Sequence, residues 1–220
     1  MWLRGTLMLA LCAGMSIIAD ARGQDHGQAL REAAAIGAAA EVTRLIAAGA
    51  PLDAQDAAGR TALLLAVAAD QVEVSKLLLQ AGASPNTQAA NQDTPWLLAG
   101  ASGRTAILAA MIPSGPDFTI RNRFGGNALI PACERGHVET VALLLTTPID
   151  VNHINRLGWT CLLEIVLLGD GGPRHQAVAR MVLSAGADPK LADKDGTTPL
   201  AHARARGQSE IARMIEAAGG

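Results

Sequence analysis

The residues able to do chemistry are few and scattered. Five histidines (His26, His137, His153, His175 and His202) and three cysteines (Cys12, Cys133 and Cys161) are spread over 220 residues. Acyl transfer needs a nucleophilic Ser or Cys beside a His, with an acid to orient the ring, and no stretch of the sequence supplies that set. Zinc needs Cys and His at short, paired spacings, which do not occur. Glu134 and His137 stand three apart, a spacing that on a helix gives a surface contact more readily than a metal site. Neither a Gly-x-x-x-x-Gly-Lys-Ser/Thr phosphate loop nor a dinucleotide fingerprint is present. The chain is therefore expected to have no catalytic residues, cofactor or metal ligands, and not to be an enzyme.

Composition then narrows the kinds of binding. With 18 basic and 20 acidic residues, net −2, the chain lacks the positive excess of nucleic-acid binders. Two Phe, three Trp and no Tyr also leave little to stack on bases. Half of the residues are apolar and no long charge run or polar tract occurs, which argues for a folded chain.

The N-terminus reads as an export signal over residues 1–21. Arg4 provides the positive start, Leu7–Ala13 and Met15–Ala19 the apolar stretch, and Ala19 and Ala21 the small residues before a cut at Arg22. The stretch is short for a membrane anchor, and Leu11 before Cys12 does not suit a lipoprotein signal. The expected location is periplasmic or secreted, with no membrane attachment after cleavage. Cys133 and Cys161 then remain. An oxidising compartment permits a bond between them, but they lie at different helix depths of neighbouring units, so two buried free thiols are expected.

The elements that must carry these residues follow from a 33-residue period. Thr61, Thr94, Asn127 and Thr160 recur at that spacing, and Thr198 follows after 38, so one unit has five extra residues. Gly37, Gly103, Gly136, Gly169 and Gly207 form a second column, interrupted by Asp70. Leu45, Leu78, Met111, Leu144, Val182 and Ile215 form a third. Gly49, Gly82, Gly115, Gly186 and Gly219 form a fourth, broken by Pro148. Thr or Asn caps a first helix, Pro95 and Pro199 suit its first position, and the second-column glycines end it in the left-handed conformation. A second helix such as 72–80 turns Val74, Leu77 and Leu78 to the core. Pro131 is expected to cost a hydrogen bond in its first helix, Gly100 to weaken another, and Pro113 to truncate a second helix.

Asp195-Gly196-Thr197-Thr198-Pro199-Leu200, Gly136-His137 through Leu143-Leu144-Leu145, and Ala185-Gly186-Ala187-Asp188-Pro189 resemble the opening, middle and end of an ankyrin repeat. The resemblance covers essentially all of the chain after the signal. It implies an all-α ankyrin-repeat solenoid of stacked helix-turn-helix units with β-hairpin-like loops. The expected organisation is a leading linker and capping repeat over 22–55, repeats at 56–88, 89–121 and 122–154, a repeat with a five-residue insertion at 155–192, and a C-terminal cap at 193–220. In the family position of His137, structural hydrogen bonding is the usual role.

A stacked array presents a concave face of hairpin tips and first helices. Most tip positions here are small or polar: Ala57, Ala58, Arg60, Asn91 and Asp93. Two neighbouring tips differ, with Arg121, Arg123 and Phe124 on one and Arg156, Leu157 and Trp159 on the next. Aromatic and aliphatic side chains among arginines compose a protein-binding hot spot; the alternative is that Phe124 and Leu157 pack on each other and the arginines form a solvated rim. Trp96, in a leucine column, belongs to the core. The insertion around Gly171 is either a tolerated loop or a protrusion toward a partner.

The expected function is a monomeric, non-enzymatic protein-binding module, a scaffold or accessory factor whose partner the sequence does not name. The chain is similar to exported, periplasmic single-domain bacterial ankyrin-repeat proteins, and that resemblance implies support of oxidative-stress enzymes such as catalase. The alternative is a secreted effector, inhibitor or immunity protein that neutralises another protein.

Overall fold

The computed structural model describes residues 26–220, so the signal segment at 1–21 and Cys12 lie outside the described residues. Helices joined by turns make up the chain, with no strand among the described residues. Two compact units divide it, one ending at Ser84 and the other running from Pro85 to Gly220.

The first unit contains α1 (26–36), α2 (Ala39–Ala47), α3 (Ala62–Ala68) and α4 (Val72–Gln80). α4 packs against both α2 and α3. Thr61 caps α3 by accepting the amide of Leu64 at 3.2 Å. α4 buries Val74, Ser75, Leu78 and Leu79, whereas Leu77, assigned to the core from helical spacing, is half-buried. At the turn from α3 to α4, Asp70 takes the left-handed conformation (φ 58°) that Gly37 takes in its own turn.

The second unit contains α5 (Pro95–Ala101), α6 (Thr105–Met111), α7 (Leu129–Glu134), α8 (Val138–Leu144), α9 (Cys161–Leu168), α10 (Pro173–Ser184), α11 (Pro199–Ala205) and α12 (Ser209–Ala217). The helices form four antiparallel pairs in two layers. α5, α7, α9 and α11 pack in series as one layer, and α6, α8, α10 and α12 as the other. The short helices cannot bury their apolar sides alone, so each interface between pairs carries stability. Met111, Leu144, Val182 and Ile215 are completely buried in that second layer. Trp96 is buried as expected, with the edge of one ring against the face of the other where it meets Phe118 (centroids 5.5 Å apart).

Local chemistry explains the variations between pairs. Thr94, Thr160 and Thr198 accept the amides of Leu97, Leu163 and Ala201, and Asn127 accepts those of Leu129 and Ile130. In the other first helices the residue four after the cap donates back to the cap carbonyl, as Leu98 does to Thr94 and Glu164 to Thr160. Pro131 occupies that place without an N–H, and α7 begins one residue later than its counterparts. α6 gives way to a short 3-10 turn at Ile112–Ser114, which contains Pro113.

Two expectations are corrected. Gly169 does not end α9 in the left-handed conformation; it is extended (φ −70°, ψ 158°), and Gly171 inside the insertion takes φ 70° instead. The insertion falls at the turn from α9 to α10. It lengthens α10 to 12 residues, and His175 anchors it, with Nδ1 2.7 Å from Asp170 Oδ1 and Nε2 2.9 Å from the Glu134 carbonyl oxygen.

The second correction concerns the thiols. Cys133 and Cys161 are joined in a disulfide, with Cα atoms 5.6 Å apart and both residues completely buried. Their difference in helix depth is the reason they meet. A residue late in one first helix faces the start of the next, 28 positions on. The preceding pair shows the same offset: a Cβ on Gly100 would lie 2.8 Å from that of Ala128. Gly100, which weakens its helix on propensity grounds, is thus required by the approach of the next pair.

Candidate binding surface

Each tip in the second unit is a five-residue turn, at 89–93, 122–126, 155–159 and 193–197. The first residue's amide donates to the carbonyl of the fifth, and the fourth residue's amide donates back to the first. The fourth place needs a positive φ, supplied by Gly125, Gly158 and Gly196 and by Gln92 at φ 65°. In three of the turns an Asn or Asp at the first place clamps the loop from within. Oδ1 of Asn122 accepts the amides of Phe124 and Gly126, that of Asn155 those of Leu157 and Trp159, and that of Asp193 those of Asp195 and Thr197. The second and third residues of each turn are left pointing outward on a fixed backbone.

Those outward places hold Arg123 and Phe124, then Arg156 and Leu157, then Lys194 and Asp195. Phe124 is 51% exposed and Leu157 49%. The Arg123 guanidinium lies 4.7 Å from the Phe124 ring centroid, a cation–π contact, and 3.6 Å from Asp93. Neighbouring tips are linked by the same device. Arg156 donates to the carbonyl of Arg123 at 2.7 Å, and Lys194 to that of Arg156 at 2.5 Å. The Arg156 amide donates to the Phe124 carbonyl at 2.9 Å, and His153 Nε2 lies 2.6 Å from the Gly125 carbonyl oxygen.

The six residues singled out in the sequence therefore divide. Arg123, Phe124, Arg156 and Leu157 line adjacent exposed tips. Trp159 is half-buried at the base of its turn, not displayed as an exposed anchor. Arg121 is half-buried and turned onto its own chain, donating to the carbonyls of Phe118 and Ile120. Ile154, 48% exposed just before the second apolar tip, was missed, because it falls in a column occupied by Gln55, Gln88 and Arg121.

Beneath these tips sits Glu164. It is 4% exposed; Oε1 accepts from Asn155 Nδ2 at 2.9 Å, and Oε2 is buried with no partner. Burial, and secondarily the negative charge of Glu134, raises its pKa to about 7, against the opposing hydrogen bond from Asn155. The signal was present in the sequence as a lone carboxylate within the apolar run 161–168. In the following pair Asp193 and His202 hold the places of Asn155 and Glu164, 2.6 Å apart. The His202 hydrogen bond, followed by the Thr197 amide, holds the Asp193 carboxyl below the usual range. His137 is half-buried and packs against Gly103, and that partial burial depresses its pKa. Among the described residues no group of three or more His, Cys, Asp or Glu is placed to hold a metal, and no helix is long and apolar enough to cross a membrane.

This geometry of paired helices and clamped turns has close counterparts. A profile of three ankyrin repeats matches residues 96–193, and a single-repeat profile matches 58–90. The ankyrin repeat protein YahD of Escherichia coli (strain K12) is 41% identical over 180 residues, which make up 81% of this chain and 90% of that protein. The chain belongs to the ankyrin-repeat family. An ankyrin repeat domain of Acinetobacter baumannii AYE is similar in structure, with a TM-score of 0.84 and 45% identity, covering 86% of this chain and 97% of that one. The ankyrin repeat domain of Bcl-3 has a TM-score of 0.78 at 27% identity, covering 87% and 86%. The chain also matches the E3 ubiquitin-protein ligase KEG of Arabidopsis thaliana, 33% identical over 145 residues, but spans only 8% of that protein. Ankyrin repeats are protein–protein interaction modules, and one scaffold appears in proteins of very different size. Partner choice therefore resides in the side chains each chain displays.

Proposed function

We propose that this chain is an exported, non-enzymatic protein-binding module that captures its partner on the tips at 122–126 and 155–159. One observation carries the reading: Phe124 and Leu157 are about half exposed on adjacent turns whose backbones are clamped by Asn122 and Asn155. Large apolar side chains on a fixed turn backbone, bordered by Arg123 and Arg156, spare the backbone's ordering cost on binding and gain the burial that makes hot spots. Ile154 extends the patch. Export is supported by the pattern of residues 1–21 and by the Cys133–Cys161 disulfide, a bond that persists in oxidising compartments. The protein acts as a monomer, in the periplasm, as a scaffold or accessory factor.

The test is capture from periplasmic extract with the chain lacking residues 1–21, in parallel with Phe124→Ser/Leu157→Ser. The expected result is a protein enriched by the first and lost with the second, at equal melting temperatures. Equal enrichment by both would remove the tips from the account. Fractionation checks location: recovery in the culture medium would favour a secreted effector or inhibitor.

A further inference from the structure

The outward places of three consecutive tips carry a cation in one column: Arg123, Arg156 and Lys194. All three are exposed. Arg156 and Lys194 each spend a hydrogen bond on the carbonyl of the preceding cation's residue, which fixes them in a row. Donors remain to spare, since a guanidinium has five N–H groups and an ammonium three. Among the described residues, Asp93 pairs with Arg123, and no carboxylate pairs with Arg156 or Lys194. The nearby acids Asp150, Asp188 and Asp193 accept backbone amides of their own turns. The adjacent column is Phe124, Leu157 and then Asp195.

We infer that the partner presents an extended acidic segment, with a carboxylate at every third residue on this row of cations and apolar side chains between them on Phe124 and Leu157. The inference rests on the binding-surface reading above and names the partner's chemistry. Packed helices lie about 8–10 Å apart, so successive tips repeat at about that distance. A polyproline-II chain has three residues per turn and rises about 3.1 Å per residue, which returns the same face every ~9 Å. Carboxylates at i, i+3 and i+6 then meet Arg123, Arg156 and Lys194 in order, and an adjoining face of the segment lies along Phe124 and Leu157. A two-residue strand period gives about 6.6 Å and falls out of step after one tip. Asp195 closes the apolar column and repels a carboxylate set one place off, which fixes the register. An acidic protein segment is favoured over nucleic acid because the row runs beside an apolar column with a single aromatic ring, Phe124, and the chain as a whole is net negative.

The test is fluorescence anisotropy with labelled peptides on the chain lacking residues 1–21. The probes are a Glu-Pro-Leu repeat, its Lys-Pro-Leu counterpart, a peptide of the first composition with its glutamates in one block, and a single-stranded oligonucleotide. The Glu-Pro-Leu repeat should bind, weakening as salt is raised, and bind about tenfold tighter than the block peptide. Arg156→Glu should lower that affinity about tenfold, and Arg123→Glu/Arg156→Glu/Lys194→Glu should transfer the preference to Lys-Pro-Leu, with Arg156→Ala as an intermediate case and every variant still folded by circular dichroism at the assay temperature. Equal binding of the block peptide or the oligonucleotide, or indifference to the reversed charges, would overturn the inference. Capture separates the two readings. If the charge-reversed chain keeps its native partner while Phe124→Ser/Leu157→Ser loses it, the surface stands and the acidic segment falls. If neither variant loses it, both fall.

Discussion

The repeat at 155–192 and the one that follows it solve the same structural problem with opposite chemistry. In both, the first residue of the tip turn reaches a side chain four places into the first helix beyond its cap. At Asp193 and His202 the carboxylate sits on the tip and the ring on the helix, each satisfying the other. At Asn155 and Glu164 the carboxylate has moved inside, where an amide meets one oxygen and nothing meets the second. A covalent bond accompanies the uncomfortable arrangement: Cys161, at the start of the same helix, is tied to Cys133. The contrast teaches that a repeated scaffold tolerates a poorly satisfied group where a neighbouring constraint offsets its cost, and that this site lies beneath the displayed tips.

The largest effect is expected from removing the tie. Cys133→Ala/Cys161→Ala opens a cross-link across 28 residues, which loop-closure entropy values at about 3–4 kcal/mol. A denaturant titration of the oxidised and substituted chains measures it, and a loss below about 1 kcal/mol would show that the packing alone holds these repeats.

Glu164→Gln should act nearly as strongly in the other direction. With a folded pKa of about 7 against an ordinary 4.5, the folded chain binds a proton that the unfolded chain releases. Stability on this account falls as pH rises from about 4.5 to about 7, by on the order of 3 kcal/mol, and is flat above. Gln removes the slope, so the variant should be more stable than the parent at pH 8 and little different at pH 4. Parallel slopes for the two proteins would contradict the assignment. Glu134→Gln should reduce the slope in part, because it removes the second cause.

Grafting the neighbouring pair sharpens the comparison. Asn155→Asp with Glu164→His should replace the Glu164 slope with the pattern of Asp193, whose depressed pKa contributes stability above about pH 3.8 that is lost on further acidification. The double variant should exceed the sum of its single variants in a cycle of melts. The smallest effect is expected from His202→Gln, which leaves Asp193 its backbone amides from Asp195 and Thr197. Its loss should be confined to the terminal helix pair and visible as faster amide exchange there.

Much of this fold was legible because each column has one local cause. Thr61, Thr94, Thr160 and Thr198 cap helices wherever they recur, and glycine or a tolerant polar residue marks each left-handed turn. The offset between facing helices was not legible, because it arises from how neighbouring pairs are displaced, not from any one repeat. Within the pattern of a single repeat Cys133 and Cys161 are mismatched in depth, although Gly100 and Ala128 carry the same offset in smaller residues. Gly169 departs from its column because the insertion shifts which glycine turns the chain. Among the site residues, Phe124 and Leu157 stood out as apolar in a polar column. Trp159 and Arg121 did not separate from them, since the turn clamp that draws Trp159 inward and the carbonyls that hold Arg121 depend on three-dimensional closure.

The central claim is that recognition occurs on the tips at 122–126 and 155–159. Hydrogen exchange of the chain, free and with its captured partner, tests it most directly. The account predicts new protection in those two turns, and none in the turn between α9 and α10. Protection confined to the latter turn, or to the second helices, would contradict it.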